Sequence, residues 1–478
     1  MDSEFVGADV DELKRLIRGK ILFRSDAEEY FEATECFNHD SRASPFVIVQ
    51  VLGARDVQLA LNFARGRHLS VSVAGGRHMF NNASMSGDLV VDMRLMRSIN
   101  VDPKEKTAWV EAGAIVFDLD QEAVTHDLAG VTGQYYDTGV AGFTLGGGVG
   151  YLSPKHGLSV DNLLAVEVVT PSGEHLYIDD KTDPEKMWVA RGAGWNLGVV
   201  LRLKLKLHTL EIFQKDEKKV HGHAGLVMWA LTGETVDPIV SILEKYLQMV
   251  DSEKLPVETQ PLFAFGNPPP FGGAPVLLMQ HVWVGNPADG EAFLKEFTDI
   301  LPPTVDTCDA LDWIGIQAVH TPMFPKGHRY YLSMRAANEE ALFRPGTVRT
   351  LTETALEEKP KEALIVLLAS GKACTEVPIG RTACTSLRES RITCLAGCHV
   401  EDKVENSDAY EKAKIWVRET LVGGVVPIFK PSVYTNLDNV NFKEESKQSA
   451  YADTAKERIA TIKSELDPTN LFKFTKVR

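Results

Sequence analysis

A histidine at the end of a glycine turn is the first residue in this chain with a plain chemical use. Ala74-Gly75-Gly76-Arg77-His78 follows directly on the apolar run at 69–73. Consecutive glycines after a strand let backbone N–H groups turn inward as a nest for phosphate oxygens. The segment fits neither G-x-x-x-x-G-K-[ST] nor G-x-G-x-x-G, so a P-loop and a Rossmann fingerprint are both set aside. His78 is then either an imidazole facing a ligand or, like most loop histidines, a solvated or packing ring.

A second stretch, GQYYDTGVAGFTLGGGVGYLSPKHGLSVDN at 133–162, concentrates glycine at 139, 142 and 146–148. Such density is costly in chain entropy and points to left-handed backbone or to backbone pressed against a ligand. Val140, Phe143, Leu145 and Val149 alternate with the glycines, which is unlike a flexible linker. The stretch reads as a buried loop around a flat or phosphorylated ligand, the alternative being a tight turn in an all-β scaffold. Glycine density returns at 191–200, RGAGWNLGVV. Four of the six cysteines (Cys374, Cys384, Cys394, Cys398) cluster. They lack paired CxxC knuckles, so reduced thiols are expected rather than a metal site.

The elements that must position these residues can be read from periodicity. Strands are expected at 46–51 and 69–73, joined by a helix at 54–65 with Val57, Ala60, Leu61 and Ala64 on one face. This is a βαβ unit with a parallel pair. Two strands at 89–93 and 107–112 flank a turn at Asp102-Pro103. A hairpin at 166–178 turns on Pro171 and Gly173 in type I geometry, and 201–207 alternates as a half-exposed strand. Beyond His208 glycine thins and longer helices appear. Asp237-Pro238 is expected to cap a helix bearing Ile239, Ile242, Leu243, Tyr246 and Leu247. Strands follow at 276–284 and 363–368, and helices at 291–300 and 409–421, in a second layered α/β domain. A surface loop is expected at 265–275, over the site entrance. A last helix with Ile459, Ile462 and Leu466 on one face stops at Asp467-Pro468.

At 478 residues the chain is long enough for more than one core. Its net charge of −15 speaks against nucleic acid and anionic membrane surfaces. No apolar run nears the roughly 18 residues of a membrane helix, and the charged start lacks a secretory h-region. A cytoplasmic protein is expected, monomeric or homodimeric.

Together these segments resemble the vanillyl-alcohol-oxidase type of FAD-binding fold, and within it the berberine-bridge-enzyme-like and 6-hydroxy-D-nicotine-oxidase-like flavoproteins. The resemblance rests on VAGGRH (73–78), LVVDMRLMRSI (89–99), VEAGA (110–114), the stretch 137–162, RGAGWNLGVV, YTN (434–436) and LDPTNLF (466–472), in that order. It implies an α+β chain. A PCMH-type FAD-binding domain in two parts, 1–211 and 425–478, would flank a substrate domain at 212–424, an α/β unit whose sheet is covered by helices.

The resemblance also implies FAD joined through its 8α-methyl to His78. Some relatives add a cysteinyl link, but the matching position is Tyr135 and no cysteine lies in 133–162, so a single linkage is expected. Arg77 departs from the pattern, where glycine is common. Cofactor contacts are expected at Gly75, Gly76, Arg77, His78 and Met79, around the pyrophosphate. Others fall at Gly113, Tyr136, Asp137, Thr138, Gly139, Gly142, Gly146, Gly147, Gly148, Asn162, Gly198, Val199, Val200, Tyr434 and Asn436.

The implied reaction is that of an oxidase. Hydride leaves an alcohol or amine carbon of a small, secondary-metabolite-like substrate for flavin N5, and O2 re-oxidises the flavin. A dehydrogenase with another acceptor and a redox-silent flavoprotein cyclase are the alternatives. Thr138 favours the oxidase, being small where the family sometimes carries an oxygen-blocking side chain. Tyr434 is the catalytic candidate; as a base it needs a lowered pKa, and otherwise it only hydrogen-bonds cofactor or backbone. Tyr330, Tyr331, Arg335 and Arg388 fall on segments that often face the substrate pocket.

Overall fold

The computed structural model describes residues 8–268, 271–420, 427–438 and 451–473. The first sheet has the order β1-β2-β4-β3, with β1 Lys20–Phe23, β2 Val47–Gln50, β3 Val71–Ala74 and β4 Leu89–Asp92. The helix Ala54–Gly66 crosses between β2 and β3 and buries the expected stripe of Val57, Ala60, Leu61 and Ala64. The two strands it joins are not neighbours. β4 lies between them and pairs in parallel with both, because a crossover that packs a helix on the sheet leaves room for a strand between its ends.

The second sheet runs β5-β6-β10-β8-β9, with β7 also on β10. Its strands are β5 Ile99–Asp102, β6 Thr107–Glu111, β7 Leu128–Gly130, β8 Leu163–Val169, β9 His175–Asp179 and β10 Val199–Thr209. Asp102-Pro103 therefore turns β5 into β6. The strands at 89–92 and 107–111 belong to different sheets, which corrects the expected pairing; the short β5 carried too little apolar signal to be seen. The hairpin β8–β9 turns as expected, with the Gly173 N–H donating to Thr170 O at 2.9 Å and Gly173 at φ +93°.

A small hairpin of β11 Phe213–Lys215 and β12 Lys218–Val220 leads into the third sheet. This has nine strands, ordered β16-β13-β15-β14-β19-β20-β18-β21 with β17 also on β13. They are β13 Gly222–Ala230, β14 Leu262–Gly266, β15 Val276–Val284, β16 Val305–Asp306, β17 Asp309–Leu311, β18 Arg329–Ala337, β19 Ala363–Ala369, β20 Ile392–Val400 and β21 Phe429–Asp438. Every pairing within it is antiparallel. Alternate residues therefore face opposite layers. Trp229, Phe263, Phe265, Leu277, Met279, Ile365 and Leu367 pack beneath the helices Val236–Asp251, Pro287–Thr298 and Thr347–Glu357. Leu262, Leu278, Met334, Val366 and Leu368 point the other way, onto Leu158 and Val160.

The helix Val236–Asp251 starts one residue before Asp237-Pro238, with Thr235 at its cap position. β14 takes in Phe265 and Gly266, so the loop expected from 265 begins after them; 269 and 270 fall outside the described residues. β21 follows residue 425 yet joins the large sheet. Among the described residues after β21, the chain rejoins the first core at Tyr451 and with the helix Asp453–Leu466, whose Ala455, Ile459 and Ile462 are buried. Asp467 then accepts the N–H groups of Leu471 and Phe472 at 2.7 and 3.0 Å, which turns the chain away from helix. No helix among the described residues is long and apolar enough to cross a membrane.

Among the polar ties that hold the large sheet to the first two, those of Arg388 and Asp120 are two. The Arg388 guanidinium, with a fully buried side chain, clasps Asp161 at 2.6 and 3.2 Å. Asp120 accepts from Trp313 Nε1 at 2.8 Å and Gln317 Nε2 at 2.9 Å, and burial pushes its carboxyl up to about 7. The packing also encloses histidines. His156 and His208 stack at 3.6 Å. Burial above all holds His156, His320 and His399 down to about 4, and His208 and His281 to about 3.

An unfolded histidine titrates near 6.5. Between that pH and about 4 the unfolded chain takes up protons that these five rings refuse, so stability falls as pH falls. Asp120 works in the opposite sense below about 7, as one group against five. We expect Tm to drop by about 10 °C or more from pH 6.5 to pH 4.5. A calorimetric Tm that stays flat across that window refutes the enclosure of these rings.

Candidate functional site

β3 ends at Ala74, and the chain turns at once through 75–79. Among the described residues, none of these five backbone N–H groups donates to a protein acceptor. The turn packs backbone to backbone on 138–139: a Cβ on Gly76 would lie 2.3 Å from Gly139 N, and one on Gly139 2.5 Å from Gly76 N. Arg77 takes a left-handed φ of +53°. This explains why glycine suits the position, since an L side chain there costs about 1–2 kcal/mol. Arg77 offsets the strain by burying its guanidinium, which donates to the carbonyls of Ala33 and Glu32. Burial lowers its pKa to about 10.

Successive unengaged N–H groups after a strand are the donor set a pyrophosphate needs. The residues present therefore fit FAD at this turn.

His78 Nε2 lies 2.7 Å from Asp137 Oδ1. A carboxylate only accepts, so Nε2 carries the hydrogen and Nδ1 keeps its lone pair. The ring stacks on Phe37, with centroids 3.8 Å apart, and Phe37 in turn stacks on Tyr330 at 5.1 Å. Tyr135 leans on His78 at 5.2 Å and donates its hydroxyl to Thr321 O at 2.9 Å and to Phe324 O. The position of a second linkage is thus filled by a tethered phenol. Tyr136 is half exposed and lies edge-on to Phe117. The Thr138 carbonyl accepts from Val116 N at 2.9 Å.

The glycine triplet is constrained by the protein itself. Side chains there would enter space already held by protein. A Cβ on Gly146 would lie 2.3 Å from Asn436 Oδ1, one on Gly147 2.8 Å from Cys384 Sγ, and one on Gly148 2.6 Å from Phe143 and Ser159. Gly147 at φ +128° and Gly148 at φ +78° also need their backbone freedom. Gly142 alone among the site glycines of this loop has nothing within 4 Å of an added Cβ.

Tyr434 is buried, and its oxygen accepts from Gly148 N at 3.1 Å and Asn436 Nδ2 at 3.0 Å. Asn436 also donates to Phe143 O at 3.1 Å. Burial raises the Tyr434 phenol well above its ordinary range, so the lowered pKa that a base role requires is not found.

Other expected contacts sit in the framework. A Cβ on Gly75 would lie 2.9 Å from Ala112 O, on Gly113 2.0 Å from Met93 O, and on Gly198 2.4 Å from Val169 O. The Met79 carbonyl accepts from Ser41 Oγ at 3.0 Å. Val199 and Val200 are buried in β10. Asn162 donates to His156 O and Leu158 O at 3.0 Å each and meets His208 Nε2 at 2.8 Å.

Of the four substrate-side candidates, Tyr330 faces the His78 cluster. Tyr331 and Arg335 lie on the opposite face of β18, with Lys414 over the Tyr331 ring, and Arg388 is spent on Asp161. Sequence reading missed Phe37, Gln280, His320 and His399, which carry no motif, and passed over Tyr151 within the glycine-rich stretch. Only the alternation of β15 and β20 could have singled out Gln280 and His399.

Residues 45–179 match the family described as FAD binding domain. The (R)-6-hydroxynicotine oxidase of Paenarthrobacter nicotinovorans is 35% identical over 238 residues, 49% of this chain and 50% of that one. The FAD-linked oxidoreductase pgmH of Aspergillus terreus is 34% identical over 203 residues, 42% and 41% of the two chains. The matched segments thus span half or less of these relatives. The crystal structure of 6-hydroxy-D-nicotine oxidase from Arthrobacter nicotinovorans shares the fold, with a TM-score of 0.80 at 24% identity over 97% of this chain and 98% of that one. The nest, the histidine behind it and these likenesses converge: residues 45–179 match an FAD binding domain, and over about half its length or less the chain is similar to FAD-linked oxidoreductases.

Proposed function

We propose that this protein is an FAD-dependent oxidase that takes a hydride from an alcohol or amine carbon of a small molecule, with FAD attached through His78 and O2 as re-oxidant. The turn at 75–79 carries this reading, since its unengaged N–H groups run directly into a histidine held by a carboxylate. When bound, FAD supplies the hydride acceptor and hands the electrons on. The protein binds, orients and manages protons around it.

Residues 75–79 and Gly139 hold the pyrophosphate in this proposal. Asp137 fixes His78 in the tautomer whose Nδ1 is free to bond to the cofactor methyl. Phe37 keeps the imidazole plane from turning. Tyr434 accepts two hydrogen bonds and keeps its own hydrogen, so its role is to donate to a bound oxygen or ring atom, not to take a proton.

Acid precipitation of the yellow protein should leave its colour in the pellet, and His78→Ala should release it to the supernatant. Asp137→Asn should slow attachment at least tenfold without preventing FAD binding. Colour lost from the wild type on precipitation means that binding is noncovalent.

Tyr434→Phe strands the Gly148 N–H and the Asn436 amide, at a cost of about 1–3 kcal/mol in folding free energy. Flavin content should hold, and anaerobic flavin reduction should slow by about tenfold with its pH profile in place. A displaced profile would return Tyr434 to the role of base.

A further inference from the structure

The face of the large sheet turned toward His78 is almost without charge. Strand register places Leu226, Leu262, Val366, Leu395 and Met334 on it, with Gln280, Thr393, Tyr330 and His399 among its polar members. Among the residues that the pairings place there, the one carboxylate is Asp309, at the sheet edge on β17 and paired with Lys215. An alcohol oxidised against this face must lose its hydroxyl proton to something, and the sheet itself offers little. His399 is stacked on Tyr330 at 5.1 Å and meets His328 at 3.4 Å.

His320 is placed differently. It follows the helix Trp313–Ala318, and its Nδ1 lies 2.5 Å from Gln280 Oε1. Gln280 is fully buried and donates its Nε2 to Tyr151 Oη at 2.6 Å. The amide therefore presents oxygen to His320. Nδ1 then carries the hydrogen, and Nε2 is a bare lone pair with no protein hydrogen bond among the described residues. Phe324 stacks on the ring at 5.0 Å and Tyr135 stands edge-on at 6.0 Å. The titratable groups around it are His78, close enough to oppose a charge on His320, then Tyr135, with Asp137 behind His78 and Tyr151 behind Gln280.

We infer that His320 is the proton acceptor of this site and that the donor is an uncharged, largely apolar alcohol. The inference rests on the FAD reading above. The donor's O–H bond breaks and its proton goes to Nε2, while the hydride leaves the same molecule's carbon for the flavin. A C=O double bond forms, the donor loses two electrons, and the flavin gains them. Nδ1–H stays on Gln280 throughout and fixes the ring. Burial keeps His320 neutral down to about pH 4, so it is ready to accept a proton at neutral pH. A neutral amine donor has no such proton to shed, and its oxidation needs no acceptor.

The test uses His320→Asn. Its amide NH2 can still donate to Gln280 Oε1, but it has no basic nitrogen. Benzylic and allylic alcohols, their amine counterparts and their carboxylate-bearing analogues serve as probes on the flavin-loaded protein. We expect the neutral alcohols to bleach wild-type flavin anaerobically, with the carboxylate analogues at least tenfold slower. In His320→Asn the alcohol rate should fall about a hundredfold, while flavin content and the affinity for product aldehyde, read as a shift in flavin absorbance, change less than threefold. His320→Gln should behave alike, which guards against a folding defect in one variant. An alcohol rate unchanged in both variants overturns the assignment of His320. Flavin that amines or acids bleach and neutral alcohols do not overturns the donor class, as does flavin that no probe bleaches. A protein that stays colourless after incubation with FAD sinks the FAD reading itself, and this inference with it.

Discussion

Gly76 and Gly139 meet backbone to backbone, and the site depends on that approach. The first glycine lies in the turn just past a strand of the four-stranded sheet, while the second opens the helix Val140–Leu145 beside the six-stranded one. With any side chain at either position, built Cβ atoms would lie at 2.3–2.5 Å from the facing backbone, and the two sheets would have to move apart. The contact sets His78 within hydrogen-bonding reach of Asp137, although 59 residues separate them in the chain. It also leaves the N–H groups of 75–79 on the open side of the turn. Close packing of backbone thus creates both the anion nest and the poised imidazole.

The large sheet adds a division of labour between its two faces. One is a conventional core under amphipathic helices, rich in aromatic rings such as Trp229, Phe263 and Phe297. The other is apolar but broken by a few fully hydrogen-bonded polar groups, and it closes over the glycine loop through Tyr434 and Cys384. Buried amides such as Gln280 and Gln260 persist in this layer because each has partners; an unpaired amide there would cost several times what a paired one does.

The local patterns of the sequence were enough to place the helix stripe at Val57–Ala60–Leu61–Ala64, the turn at Pro171-Gly173 and the terminal helix, because each is decided within a dozen residues. The GG turn and its histidine were legible for the same reason. What escaped were the features set by distant pairing. β4 entered between β2 and β3, β5 took the turn at Asp102, and β21 joined the large sheet rather than the first core. The glycine triplet was legible as a constraint, but not the residues that impose it: a side chain there would meet Cys384, Asn436 and Phe143, and two of these lie more than 200 residues away. His320 could not be singled out at all, and Gln280 only through the alternation of β15, since their significance is a contact between a loop and a strand that no periodicity encodes.

The helix Asp453–Leu466 and the residues after it fill the core that begins near residue 13. Val71 N donates to Leu471 O at 2.9 Å, 400 residues along the chain. On the ribosome, where chains grow at about 5–20 residues per second, the cofactor-binding core is therefore missing a wall for tens of seconds after its own strands emerge. Its sheet edge and apolar groove stay open while the nine-stranded sheet is still being made. The last segment acts as a closing stitch, so that the core is completed only after the nine-stranded sheet is in place.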